Sequence, residues 1–171
     1  SSALARHGAL KQELLQIPGV LEVSYSSDQP LSGNTWASNF RFASRLEDEP
    51  YSITQKFADA DFQKTYGLKL LAGKWYESSD TIRQAVVNMT LLRKLGIETP
   101  AEAVGQRLYV NGNRPVELTG VVEDFHTHSL HEEHEPLMIS TLLDYYWVTG
   151  VKMRPDDISG TLAAMQRSFD K

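Results

Sequence analysis

The sequence predicts an α+β fold on three observations. Helical spacing of apolar residues occurs at both ends of the chain, period-two alternation fills the middle, and one Asn-Gly dipeptide sits between two alternating runs. Helices segregated to the ends, with strands between them, argue against a doubly wound parallel sheet. At 171 residues, with 41% hydrophobic and 23% charged residues, the chain is large enough to bury a core without a disulfide or metal staple.

The first helix is expected from Ala3 to Gln16, with Leu10, Leu14 and Ile17 on one face and Pro18-Gly19 as its stop; Gly8 weakens it. Leu21, Val23 and Tyr25 then alternate with Glu22, Ser24 and Ser26 as a half-buried strand, and a polar loop runs from Ser26 to Thr35. Trp36, Phe40 and Phe42 form one alternating set, and Tyr51, Ile53 and Phe57 form another. Between them Glu47-Asp48-Glu49 and Pro50 read as a solvated turn, so two antiparallel strands around that turn are the simplest expectation.

Asp59 or Asp61 is placed to cap a short helix through Tyr66, which Gly67 ends in the left-handed conformation, and Leu68 to Lys74 reads as a short strand and turn. Ala85-Val86-Val87 reads as a buried strand. Asn88 caps a helix carrying Leu91, Leu92 and Leu95, which Gly96 stops. Thr99-Pro100-Ala101-Glu102 predicts a second start with a capping box, ended by Gly105. A hairpin through Asn111-Gly112 joins Gln106–Val110 to Pro115–Val122. Strands are expected at Leu137–Ile139 and Tyr145–Met153. A last helix opens at Pro155-Asp156-Asp157, with Ile158, Leu162, Met165 and Phe169 on a face that must dock on a sheet, each worth about 1.5–3 kcal/mol when buried.

Composition removes several function classes. A net charge of −5 with no basic stripe opposes nucleic-acid binding, which needs clustered Lys and Arg. No cysteine means no disulfide, thiolate zinc site or cysteine nucleophile. No apolar run approaches the roughly 20 residues that span a bilayer, and no signal peptide is visible. The sequence starts at Ser1 in a helical pattern and stops at Lys171 at the end of another, so a segment of a longer protein is expected.

Four of the five histidines, His126, His128, His131 and His134, fall within nine positions after a strand. His126 and His128 at i, i+2 share a strand face, and His131 and His134 at i, i+3 share a helical face, so a zinc site is the chemistry this pattern can offer. The metalloprotease spacing fails, because one residue, not two, separates Glu132 from His134. Gly67 to Lys74 is not a phosphate loop: five residues separate its glycines, and Trp75 stands where Ser or Thr must hold magnesium. Asp59, Asp61, Glu77 and Asp80 form no pair at a defined separation and read as caps or solvated groups; no serine sits in a nucleophile elbow; the Asn88-Met89-Thr90 sequon reads as a cap. Trp36, Trp75 and Trp147 read first as packing residues, with an interaction surface as the competing reading.

Four blocks occur in order. They are Gln16-Ile17-Pro18-Gly19-Val20; Asp59-Ala60-Asp61-Phe62 with Thr65 to Lys74; Val86 to Thr90 with Leu95-Gly96 and Ala103 to Gln106; and Gly120 to His126 with Ser129 to Glu132 and Glu135-Pro136-Leu137. Together they resemble the periplasmic core domain of bacterial ABC-transporter permeases of the MacB/FtsX type, over nearly the whole chain. Met89 stands where the family pattern carries an acidic residue, Lys74 where it carries Arg, and His128 and His134 fall at variable positions.

The resemblance implies a porter-like lobe of antiparallel strands and two helices from residues 1–75 and 137–171, with a smaller α/β lobe inserted at 76–136. It also implies structural motif positions at Asp61, Phe62, Gly67, Gly73, Asn88, Gly105, Asp124, Phe125, His126, Leu130, His131 and Pro136. The implied function is non-catalytic and needs no cofactor. Such a domain lies on the periplasmic face of the bacterial inner membrane, between transmembrane helices. It couples ATP hydrolysis on a separate cytoplasmic subunit to cargo or partner proteins outside, beside a second permease half or protomer. The competing readings are a zinc-binding protein or metallohydrolase using His126, His128, His131 and His134, and an interaction module presenting the loop from Ser26 to Thr35.

Overall fold

The computed structural model describes residues 2–30, 36–126 and 133–170. The described elements run α1 (Ser2–Leu15), β1 (Val20–Ser26), β2 (Trp36–Ser38), β3 (Phe40–Phe42), β4 (Ile53–Phe57), α2 (Phe62–Tyr66), β5 (Leu70–Gly73), β6 (Gln84–Asn88), α3 (Met89–Leu95), β7 (Arg107–Val110), β8 (Arg114–Val122), β9 (Leu137–Ser140), β10 (Val148–Met153) and α4 (Ile158–Phe169). Residues 31–35 of the loop expected from Ser26 to Thr35 lie outside the described residues.

The strands form two sheets. β1 and β10, far apart in sequence, pair antiparallel from Val20↔Met153 to Ser26↔Val148. The other eight form a mixed sheet in the order β2-β4-β9-β6-β8-β7-β3, with β5 added on β8. β2 and β3, the two ends of that order, are consecutive in sequence and separated by Asn39 alone, so the sheet curls round until its edges meet at one bent segment.

This bend corrects the simple hairpin expected around the acidic turn. β2 does pair with β4, Trp36 opposite Gln55, but β3 leaves for β7, Phe40 opposite Val110. The reason is burial: beyond Asn39 both Phe40 and Phe42 enter the core, while Trp36 stays 40% exposed. The Asn-Gly hairpin is present, with Asn111, Gly112 and Asn113 all at positive φ.

Period-two alternation divides the large sheet between two apolar layers. Val87, Leu118 and Met138 join Phe40, Leu91 and Leu92 under α3, whereas Val86, Val122 and Ile139 face the other way toward Phe62 of α2. A third, smaller cluster of Leu14, Ile17, Val20 and Val23 lies between α1, α4 and the two-stranded sheet.

Some local cap and stop signals hold in the fold and others do not. The Asn88 side chain accepts from the Leu91 amide as a cap, and Gly67 and Gly96 end their helices at φ +67° and +78°. Thr99 makes no side-chain cap, and Pro100–Ala103 is a single 3-10 turn: with Ala103 buried, the chain turns at once into β7. Asp61 precedes α2 without a side-chain cap; its carboxylate is engaged elsewhere.

The largest departure is α4. Thr161 is its buried residue, while Ile158, Leu162 and Phe169 are 46%, 50% and 59% exposed. Thr161 sets the seating, because its hydroxyl would lie 2.2 Å from a Cβ at Gly19, a position at φ +95° that glycine alone occupies without strain. The helix therefore lies close over the Pro18-Gly19 turn and docks as expected through Met165, with Ala164, on the cluster beside the two-stranded sheet, while Ile158, Leu162 and Phe169 of the same stripe are turned partly to solvent.

Candidate functional site

Four of the residues singled out by sequence, Asp59, Asp61, Asn88 and Asp124, lie in two polar centres. The first surrounds Asp59, between β4 and α2. One carboxylate oxygen accepts from the Ser24 hydroxyl at 2.8 Å and the Asp61 amide at 3.1 Å; the other accepts from the Tyr25 amide at 3.0 Å and the Lys11 ammonium at 2.5 Å. Lys11 also reaches Asp61 at 2.7 Å, and the Tyr25 hydroxyl donates to the His7 carbonyl. Burial alone would draw the Lys11 ammonium down, but the two carboxylates outweigh it and hold it above the ordinary lysine value. Asp59 thus ties α1, β1 and α2 together. Sequence alone read it as a cap, and nothing in the pattern of α1 marks Lys11 as its partner.

The second centre roots the histidine stretch. Asn88, 2% exposed, donates to the Glu135 carbonyl at 2.7 Å and accepts from the Leu91 and Leu137 amides at 3.1 and 3.0 Å. Asp124 accepts from the Thr90 amide at 2.8 Å and from Arg93 at 2.7 Å. Burial would raise the Asp124 carboxyl, yet the Arg93 guanidinium and the Thr90 amide overcome it and hold it below the usual carboxylate range. Both ends of residues 125–136 are therefore fastened at the N-terminus of α3, where two orphan amides need acceptors.

Of the remaining motif residues, Phe62 is fully buried, and Gly73 and Gly105 flank one stretch of β8: Gly73 pairs with Gly120, and the Gly105 amide donates to the Leu118 carbonyl. The Pro136 carbonyl accepts from the Thr54 amide. His128, Leu130 and His131 lie outside the described residues. His126 and His134 stand with ring centroids 4.6 Å apart. Among the described residues no three His, Cys, Asp or Glu side chains gather into a metal-holding group. Of the four acids considered as acid–base partners, Asp59 and Asp61 share the Lys11 ammonium, whereas Glu77 pairs with Lys74 at the surface.

Sequence reading missed a third feature. Lys56 and Asp28, 3% and 4% exposed, form an ion pair at 2.6 Å; Lys56 also donates to the Gln29 carbonyl, and Ser27 donates to Asp28. Burial draws the Lys56 ammonium below its ordinary value against the Asp28 bond that holds its proton. A lysine in alternation with Gln55 and Phe57 gave no sign of this, because its partner lies in a loop.

Beside both the pair and the root of the histidine stretch opens a mainly apolar cavity of about 510 Å³, between α2, β10 and Phe125. Among the described residues no helix is long and apolar enough to cross a membrane.

Three solved structures share the fold. The extracellular domain of the noncanonic ABC-type transporter YknZ from Gram-positive bacteria is 18% identical, with a TM-score of 0.57 over 88% of this chain and 74% of that one. The periplasmic region of MacB from Actinobacillus actinomycetemcomitans is 16% identical, with a TM-score of 0.60 over 92% and 69%. A domain of a putative permease protein from Porphyromonas gingivalis is 19% identical, with a TM-score of 0.59 over 94% and 74%. Comparison with curated protein sequences gives no match. The family model of the MacB-like periplasmic core domain matches residues 3–164, and the chain belongs to that family of ABC-transporter permease domains.

Proposed function

We propose that this domain is a mechanical relay on the outer face of the inner membrane. It carries movement, driven by ATP hydrolysis on a cytoplasmic subunit, from transmembrane helices to a cargo or partner protein, and performs no reaction itself. The observation that carries this reading is the Asp59 centre: four donors from three elements converge on one carboxylate, and through Lys11 they make α1 rigid with β1 and α2. A helix so fastened transmits a push or rotation instead of dissipating it. A relay of this kind needs two states of the whole assembly. A second permease half or protomer beside it, and the cytoplasmic ATP-binding subunit, are its implied partners.

The partition into 1–75 with 137–171 against 76–136 belongs to the same proposal. Because the large sheet joins strands from both parts, and the Asp59 centre ties β1 and α1 to α2, whose Phe62 packs on that sheet, the proposed movement is of the domain as one body. The motif positions act in this reading as fasteners, Asp61 on α1 and Asn88, Asp124 and Pro136 at the root of the histidine stretch.

The test is distance measurement between spin labels in the complete permease with its ATPase in membranes. Labels at Arg6 and Gln63 should keep their separation through the nucleotide cycle, while labels at Arg6 of two neighbouring permease subunits should change theirs. The reading fails if the separation between subunits ignores nucleotide, or if the isolated chain turns over a substrate.

A further inference from the structure

The cavity between α2 and β10 is walled by Pro30, Tyr66, Leu68, Phe125, His126 and Val148. These come from separate stretches of sequence, and each stretch is held by something other than the cavity. The Tyr66 ring lies across Gly150, where a Cβ would sit 2.3 Å from its hydroxyl, so the absence of a side chain at 150 is what lets tyrosine form this wall. Phe125 follows Asp124, itself held by Thr90 and Arg93. Gln29 and Pro30 follow Asp28, locked to Lys56. The hollow is thus formed before anything enters it, which lowers the ordering cost of binding.

Its chemistry is equally defined. None of the described lining residues is Lys, Arg, Asp or Glu. The nearby Lys56 ammonium is committed to Asp28 and the Gln29 carbonyl. Burial holds the Tyr66 phenol above its ordinary range, so it is a neutral hydroxyl at physiological pH. An ionic ligand here would lose water and meet no Lys, Arg, Asp or Glu among the described lining residues. A cavity of about 510 Å³ is within the range of about 300–1,000 Å³ typical of small-molecule sites. The larger cleft of about 810 Å³ around Arg41 and Asn113 differs in kind: it is polar, and its guanidinium is spent on Asn113, the Arg45 carbonyl and the face of Tyr109.

We propose that the cavity between α2 and β10 is a binding site for an uncharged, predominantly apolar small molecule. The site stands apart from the relay reading, since it needs no membrane, nucleotide or second subunit.

Titration of the 171-residue chain with the neutral fluorophore N-phenyl-1-naphthylamine tests it, with amide chemical shifts read in parallel. The expected result is saturable one-to-one binding with shifts at Leu68 and Val148 to Gly150. The sulfonated relative 1-anilinonaphthalene-8-sulfonate should bind at least fivefold more weakly. Val148→Trp fills the hollow and should weaken the neutral probe at least tenfold; Leu68→Trp enters from a different stretch of the lining and serves if the first variant unfolds. Leu162→Ala, on the exposed stripe of α4, should leave binding unchanged. The proposal is overturned by non-saturable binding, by equal affinity for the sulfonate, by undiminished binding to either folded Trp variant, or by shifts centred on α4 or on Trp36 and Trp147.

Discussion

The large curled sheet and the terminal unit of α1, β1, β10 and α4 are stabilised in opposite ways. The sheet buries apolar residues on both faces, one layer forming with the leucines of α3 a cluster of seventeen buried residues, and its polar contacts cap helices or root loops. The terminal unit has four residues in its buried cluster, leaves three large side chains of α4 exposed, and is secured by the charged centre at Asp59. Hydrophobic burial is non-directional and cooperative, whereas a network on one carboxylate is directional and breaks at a single atom. Fold stability therefore resides in the sheet, and the orientation of the terminal helices resides in a few bonds.

The contrast is sharpest where one side chain is removed from each region. Phe40→Ala, at a fully buried position, should cost about 3–5 kcal/mol and lower the whole unfolding transition. Asp59→Ala removes four acceptor contacts from a carboxylate 13% exposed and strands Lys11 beside Asp61; its cost should be about 2–4 kcal/mol. Hydrogen exchange separates the two. Asp59→Ala should release amides of α1 and β1 while β6 and β8 keep their protection. Uniform loss of protection across both sheets would show that the regions are one cooperative unit.

Asp124 gives a pH-dependent version of the same test within the sheet region. Its folded-state carboxyl lies below the ordinary value, so its contribution is present above the unfolded value, about 3.9, and is lost as pH falls through the folded one. Asp124→Ala should cost about 1 kcal/mol at neutral pH, as for loss of a helix cap, and the gap from the parent protein should close below about pH 4. A gap that persists unchanged at pH 3 would mean that the side chain acts by packing. The parallel change Asn88→Ala should be larger and pH-independent, because a neutral amide serves Leu91, Leu137 and Glu135 together.

What could be read in advance follows the range of each interaction. Period-two runs such as Val86-Val87 and the Asn111-Gly112 turn are local signals, and they placed β6, β7 and β8 within a residue or two. The four ordered blocks identified the family, since order along a chain is also visible in sequence. Partner choice between distant segments is not: β1 with β10, β3 with β7, Lys11 with Asp59 and Lys56 with Asp28 each depend on how the sheet closes. Asp124 and Asn88 were legible as motif positions, but their shared task appears only when α3 lies against both ends of the histidine stretch. The error at α4 has the same origin. Its apolar period is real and Met165 docks, but Thr161 seated against Gly19 turns Ile158, Leu162 and Phe169 outward, and a hydroxyl packed on a glycine leaves no mark in hydrophobic periodicity.

The smallest effect is the most diagnostic for the terminal unit. Leu162 has helical spacing with Ile158, and a docked stripe would make Leu162→Ser cost several times more than an exposed one. With half of its surface open to solvent, the substitution should change stability by no more than about 0.5 kcal/mol, against the several kcal/mol expected at Phe40. Urea unfolding of the isolated chain reads this directly, and an unchanged m-value would show that the unfolded state is not what moved. A loss above about 2 kcal/mol would place Leu162 in a buried contact and reduce the difference between the two regions to one of size. A near-zero loss keeps the difference one of kind: the sheet holds itself by burial, and the terminal helices are held by Asp59, Lys11 and the seat of Thr161 on Gly19.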